Sequence, residues 1–288
     1  MTIPSVSFEF FPPRTIEASF RLWDTVQSLT PLNPRFISVT YGAGGVTRDL
    51  TRDAVSTLQK FSGQKVAAHL TCVDVTRDET LEIAKNFANA GVTDIVALRG
   101  DPPQRCSRFK AHPEGFQDTC ELVSALTSIT DFTIRVGAYP DTHPEADNQQ
   151  ADIDWLKRKF DAGATEALTQ FFFESETFFR FRDACVKSGI DQPIVPGILP
   201  IENWAGAFKF ARRCGTVIPN WLACAFEKAV RDQHEDLLAT AICTELCSEL
   251  IEGGVESLHF YTLNRPELTQ DVCRALGVQP KRHLQKVA

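Results

Sequence analysis

The sequence predicts an α/β barrel of eight strand–helix units, and three observations carry that prediction. Short β-rich runs alternate with longer amphipathic segments from end to end. The candidate strands start 30, 30, 28, 40, 33, 27 and 63 residues apart, a nearly regular spacing that suits repeated βα units. Glycines at 63, 91, 163, 189 and 253 stand just past helical runs, where a left-handed cap needs no Cβ.

In chain order, the apolar run Val6–Phe11 is the first strand, and the amphipathic stretch Ile16–Leu29 the first helix. Phe36–Thr40 leads into helix Thr51–Phe61, which Gly63 ends, and Val66–Leu70 into Glu79–Ala90, which Gly91 ends. Asp94–Leu98 precedes Gln117–Ile129, and Ile134–Ala138 precedes Ala151–Asp161 with Gly163 behind it. Ala167–Phe172 is followed by Glu176–Ser188 and Gly189, and Ile194–Ile198 by Asn203–Arg213. The long gap before the last strand, Ser257–Tyr261, holds the helix Asp232–Ile251 and an extra helical piece with Pro219-Asn220-Trp221 near its start. Pro266–Leu276 is the closing helix. Eight units in 288 residues make a single-domain (β/α)8 TIM barrel over residues 1–278, with a basic tail at 279–288. The competing doubly wound sheet would carry a Gly-rich phosphate turn, but in Gly42-Ala43-Gly44-Gly45-Val46-Thr47 a threonine holds the third glycine's place.

Thirty basic against 37 acidic residues leave a net charge of −7, a poor match to nucleic acid or an anionic membrane. The nine cysteines follow no framework and suit reduced thiols; Cys243 and Cys247, four apart, fit helix packing. The first residues lack a signal-peptide pattern and no apolar run reaches spanning length, so the expectation is a soluble, cytoplasmic protein. No metal-ligand spacing, nucleophile elbow or P-loop is present.

Barrel active sites lie at the carboxyl ends of the strands, and here those ends are polar. They carry Glu9, Thr40 and Tyr41, His69 and Thr71, Arg99-Gly100-Asp101, Tyr139, Gln170, and Thr262 to Arg265. Glu9 is the sharpest signal, a carboxylate inside an aromatic strand, with Ser7 and Phe11 on its face. Desolvation by aromatic neighbours would raise its pKa and make it a proton donor; pairing with an arginine would make it structural. Asp101 is either a ligand contact or a turn former before Pro102-Pro103, and His69 either a site residue or a core histidine. Lys157-Arg158-Lys159 suits a solvated helix face or a diphosphate contact, and Gln170 brings an amide to a strand end.

A set of ordered motifs then resembles the bacterial methylenetetrahydrofolate reductase family. They are Val6-Ser-Phe-Glu9-Phe-Phe-Pro-Pro13, Ser38-Val-Thr40-Tyr-Gly42, His69-Leu-Thr-Cys72, Ala97-Leu-Arg99-Gly-Asp101, Ala138-Tyr139-Pro with His143-Pro-Glu-Ala146, Thr169-Gln170-Phe-Phe-Phe173, Pro196-Gly-Ile-Leu-Pro200 and His259-Phe-Tyr-Thr-Leu-Asn264-Arg265. The resemblance implies a barrel that binds FAD without a Rossmann motif and reduces 5,10-methylenetetrahydrofolate to 5-methyltetrahydrofolate with NADH or NADPH, in ping-pong fashion. It also suggests a homo-oligomer. By resemblance, Glu9 is the acid that protonates folate N10, and Asp101 the aspartate near flavin and pterin. Gln170 matches an amide shared by folate and nicotinamide, Phe210 a ring packing on the ligands, and Arg265 a cation for the folate glutamate. The FAD set implied is Thr40, Tyr41, Ala43, His69, Arg99, Gly100, Asp101, Tyr139, His143, Ala146, Asp152, Arg158 and Lys159. Two positions depart from the enterobacterial pattern: Trp155 replaces a small polar residue beside the nucleotide, and Gly206 stands where a folate-contacting Gln would be. The rival from the residues alone is a barrel aldolase or isomerase using Glu9 as base.

Overall fold

The computed structural model describes residues 2–41, 48–100 and 109–280. Among these residues nine strands are present: β1 (Ser5–Phe10), β2 (Ile37–Val39), β3 (Val66–Thr71), β4 (Asp94–Leu98), β5 (Thr133–Ala138), β6 (Glu166–Thr169), β7 (Ile194–Val195), β8 (Gly197–Ile198) and β9 (Ser257–Tyr261). They pair in parallel, in the order β7-β6-β5-β4-β3-β2-β1-β9-β8. β7 and β8 are two halves of one barrel strand. Pro196 between them has no N–H to offer a ladder. Its carbonyl still accepts from His259 N at 3.0 Å, so the first half closes on β6 and the second on β9. The eight strands expected from spacing are therefore all present.

Among the described residues ten α-helices surround the strands: α1 (Ile16–Leu29), α2 (Arg48–Phe61), α3 (Arg77–Asn89), α4 (Thr119–Leu126), α5 (Gln149–Asp161), α6 (Ser175–Lys187), α7 (Trp204–Cys214), α8 (Asn220–Arg231), α9 (Glu235–Glu252) and α10 (Glu267–Ala275). Polar caps set several starts. Thr15 accepts from Ala18 N, Thr76 and Glu79 form a reciprocal box, and Asn148 and Asn203 accept from Ala151 N and Gly206 N. The extra helical piece before the last strand is α8, which begins directly after Pro219.

Most elements differ from expectation by one to three residues at an end, and α4 is shorter at both ends; three differences bear on the packing. β6 stops at Thr169 rather than Phe172, because Phe171, Phe172 and Phe173 leave the ladder to pack in the outer core. β2 is only Ile37–Val39. Gly253 has φ −77°, and the left-handed position falls to Gly254 at +90°; Gly253 instead makes room for Phe179, whose ring a Cβ would meet at 2.1 Å.

Alternate strand residues divide the core. Outward-facing Phe8 and Phe10 are buried in the shell between strands and helices, whereas Phe36, Ala67, Val96, Leu168 and Val195 form a separate cluster inside the barrel. At the amino-terminal end, Arg135 plugs the barrel. It bonds Asp94 and Glu166 at 2.6 Å each, and its guanidinium lies 3.8 Å from the Phe36 ring centroid. Arg35 and Lys65 complete the network at 2.8 and 3.1 Å. This end is sealed, so ligands have the opposite end.

Candidate active site

Two cavities open at the carboxyl ends of the strands. The larger, about 440 Å³, lies over β3–β5 and the first turns of α5; the smaller, about 180 Å³, sits over the barrel mouth. Leu98, Gly137, Ala138 and Tyr139 line both.

The smaller cavity contains Glu9. Its Oε2 lies 3.1 Å from His69 Nε2 and 3.4 Å from His259 Nε2. Burial pushes the carboxyl up, but the His69 and His259 imidazoles outweigh it and hold Glu9 down at about 2. This corrects the expected proton donor raised by aromatic neighbours. Phe8 and Phe10 alternate to the other face of β1, so Glu9 meets imidazoles instead, and the ligand-free side chain is a carboxylate. Gln170 and Phe210 share this cavity, and Phe210 stacks on Phe171 at 5.2 Å. Gln170 Oε1 accepts from Phe171 N at 3.1 Å, which leaves its amide hydrogens for a ligand.

Of the residues matched to a dinucleotide, Tyr41, Arg99, Gly100, Tyr139, His143, Ala146, Asp152 and Lys159 line the larger cavity. His143 sits edge-on to Tyr139 at 4.6 Å; its backbone N–H donates to Asp152 at 2.6 Å, and its Nδ1 accepts from Glu145 N. Burial pushes the Asp152 carboxyl up and the His143 imidazole down. Arg99 pairs with Glu145 at 2.6 Å and lies over the Phe109 ring. Gly100 has φ +88°, and a Cβ there would meet Val73 at 2.7 Å.

The basic run on α5 splits three ways. Lys157 donates to the Ser188 carbonyl, Arg158 lies over the Trp155 ring at 4.3 Å, and Lys159 is buried against the cavity. Burial holds the Lys159 ammonium down at about 8. Trp155 itself lines the larger cavity.

Four matched positions lie apart. Thr40 is held by backbone bonds to Phe10 and by Thr51, outside both linings, and Arg158 is likewise absent from them. His69 faces Glu9 rather than the larger cavity, and Arg265, largely exposed, is held 3.3 Å from Glu202 at the rim. Ala43 and Asp101 lie outside the described residues, as does the tail from 281 onward.

Sequence reasoning assigned no role to Ser7, His259 or Tyr261. Ser7 Oγ is 2.8 Å from His259 Nδ1, and Tyr261 donates to the Thr169 carbonyl at 2.6 Å. The available signal was alternation in Ser257–Tyr261, which puts His259 and Tyr261 on one face.

The model of the family described as methylenetetrahydrofolate reductase matches residues 2–277. This chain belongs to that family. A 5,10-methylenetetrahydrofolate reductase of Salmonella typhimurium is 46% identical over 277 residues, covering 96% of this chain and 92% of that protein. The Arabidopsis thaliana protein named methylenetetrahydrofolate reductase (NADH) 1 is 36% identical over 94% of this chain and 48% of its own length. Among solved structures, an uncharacterised Clostridium thermocellum protein described as binding two copies of 5-methyl-5,6,7,8-tetrahydrofolic acid superposes with a TM-score of 0.65. At 13% identity over 96% of this chain and 94% of that one, it speaks to the fold alone. In this methylenetetrahydrofolate reductase family member, no helix among the described residues is long and apolar enough to cross a membrane.

Proposed function

We propose that this chain reduces 5,10-methylenetetrahydrofolate to 5-methyltetrahydrofolate with NADH or NADPH, using FAD held in the larger cavity. The observation that carries the proposal is the adjacency of the two cavities. One holds a carboxylate between imidazoles, the other a buried ammonium, and a common wall separates them.

The larger cavity fits a dinucleotide on its own chemistry. Lys159 is buried, and among the described residues it forms no salt bridge; its Nζ donates only to the Gly137 carbonyl, at 2.8 Å. Asp152 is near enough to favour the ammonium but does not offset its burial, and a diphosphate supplies the charge that is lacking. Arg99, His143 and Asp152 add polar contacts, and Tyr41, Tyr139 and Trp155 add flat aromatic walls. FAD, when bound, supplies hydride transfer between nicotinamide and folate in two half-reactions.

The chain's own residues do the rest. Glu9 holds and delivers a proton to folate N10, which opens the five-membered ring. Gln170 offers amide hydrogens to the ligand, Phe210 packs against its ring, and Arg265 at the rim faces the glutamate tail. Anaerobic mixing tests the proposal. NADH should bleach a flavin bound to the purified protein, and methylenetetrahydrofolate should restore its colour. A protein that binds no flavin when reconstituted with FAD would overturn it, and would favour the aldolase or isomerase alternative.

A further inference from the structure

We infer that Thr71, at the end of β3, is a further binding residue of the larger cavity, its hydroxyl bonding a polar edge of the flavin ring. This rests on the function proposed above, since it takes that cavity to hold FAD.

Thr71 is one of the polar strand ends, and none of the residue sets matched to folate or dinucleotide includes it. Alternation along β3 carries Ala67, His69 and Thr71 to the barrel interior. His69 faces Glu9, while Thr71, one step nearer the mouth, lines the larger cavity. The register fixes its neighbours. Thr71 is paired with Leu98 on β4, and Leu98 lies against Gly137 on β5, where an added Cβ would meet Leu98 Cδ2 at 3.4 Å. Leu98 and Gly137 belong to the wall that both cavities share. Under the function proposed above the flavin ring lies along this wall, and Thr71 stands at its β3 end. Lys159 belongs to the other end, where it donates to the Gly137 carbonyl. Two strand spacings, about 10 Å, separate β3 from β5. A diphosphate that meets Lys159 is on the β5 side, which leaves the β3 end of the wall to the ring.

The hydroxyl lacks a partner. Thr71 is 4% exposed, and its buried Oγ1 forms no hydrogen bond among the described residues. Two other buried threonines at strand ends differ. Thr169 Oγ1 accepts from Gly197 N at 2.9 Å, and Thr262 Oγ1 donates to the Glu9 carbonyl at 2.7 Å. Among the described residues Ser38, Arg48, Thr244 and Thr269 also carry a buried, unbonded polar atom, but none of them lines either cavity. His69 does, and its Nε2 faces the Glu9 carboxylate at 3.1 Å. An orphaned hydroxyl in a cavity wall is costly until a ligand supplies the partner. The carbonyl oxygens and ring nitrogens of a flavin edge suit a hydroxyl, which donates or accepts.

Sterics leave the cavity as the open direction. Gly100, at φ +88°, closes on β3: a Cβ there would stand 3.0 Å from Thr71 Cβ and 2.7 Å from Val73 Cγ1. That side has no space even for a methyl. A turn about χ1 exchanges the Thr71 hydroxyl and methyl within nearly the same volume, so the hydroxyl can face the cavity without movement of the strand.

The full chain, freed of flavin, tests this with Thr71→Val, which keeps the shape, and Thr71→Ser, which keeps the hydroxyl. Titrations followed by flavin fluorescence should give an FAD dissociation constant about 2- to 10-fold higher for Thr71→Val, the loss of one neutral hydrogen bond, and within about twofold of the parent for Thr71→Ser. The thermal midpoint of flavin-free Thr71→Val should rise by about 2 °C, because an orphaned buried group is gone. These opposite signs are diagnostic: a hydroxyl bonded within the protein would lose stability and affinity together. Thr71→Val should also displace the visible absorption bands of the bound oxidised flavin, which a contact at the nucleotide end would not do. Unchanged affinity in Thr71→Val, a loss as large in Thr71→Ser, or weakened binding with unmoved bands would each overturn the proposal. So would a flavin-free midpoint that does not rise, or a Thr71→Val chain that fails to fold, since either means that the hydroxyl is bonded within the protein. A parent that binds no flavin would instead refute the function proposed above, and the flavin-free midpoints would still decide whether the hydroxyl lacks a partner.

Discussion

Lys159 and Gly137 are joined by a single hydrogen bond, 2.8 Å from buried ammonium to backbone carbonyl. Asp152 is close enough to favour the cation but does not offset burial, which lowers the lysine from 10.5 to about 8. Between those values the unfolded chain binds a proton that the folded chain does not. Stability of the FAD-free protein should therefore rise with pH across that window and carry the full penalty below it, on the order of 3 kcal/mol. Urea midpoints measured from pH 8 upward check this: Lys159→Met should flatten the rise and weaken FAD binding. An identical slope in the variant would remove Lys159 as its cause.

Glu9→Gln should retain FAD and be reduced by NADH, yet lose folate reduction by about 10²- to 10⁴-fold, the range typical of a general acid. The two half-reactions are followed separately by flavin absorbance. Equal losses in both would mean that Glu9 is not the acid.

Gly206 is exposed in the first turn of α7, and its N–H is the one that Asn203 Oδ1 caps at 2.8 Å. That oxygen already serves the cap, which holds the Asn203 side chain against the first turn. A Cβ at 206 would sit 3.1 Å from Asn203 Oδ1, so the cap must yield by a few tenths of an ångström. Gly206→Gln should still lower the KM for methylenetetrahydrofolate, by up to about tenfold for one neutral hydrogen bond. Reduction by NADH is the control. A KM that stays the same or rises, in a folded protein, would show that α7 does not present position 206 to folate.

Arg135→Met should destabilise the protein by about 3–5 kcal/mol, because Asp94 and Glu166 would be left buried without their shared cation. The Asp94 carboxyl is held below its usual range; burial opposes this, but Arg135 and Thr93 prevail. Its contribution is thus present above the ordinary carboxylate pKa and lost as pH falls through the lowered one. Acid unfolding of the parent and of Arg135→Met should converge at low pH. Parallel curves down to the acid limit would place the stabilisation elsewhere.

Period and caps made most elements legible from residues alone. The amphipathic stretch Ile16–Leu29 is α1 at both ends, and the long gap before the last strand does contain α8. Strand ends were harder. The apolar run after Thr169 continues in sequence, but the ladder stops where Phe171 turns to pack against Phe210. At the site, Glu9 was evident as a carboxylate inside a strand, yet its partners were not. Alternation tells which residues of one strand face inward; which residue of another strand lies opposite depends on inter-strand register, and register is a property of the closed barrel. That is why His259 stayed hidden and the pKa of Glu9 was expected to move the other way.

Leu98, Gly137, Ala138 and Tyr139 stand between the two cavities and belong to both. A party wall cannot be thickened for one tenant alone. At Gly137, an added methyl would rest 3.4 Å from Leu98 Cδ2, tolerable in itself, but any larger side chain takes room from both cavities together. Residues that line one cavity and not the other, such as Trp155 on α5 and Phe210 on α7, leave changes to a single cavity free of that constraint.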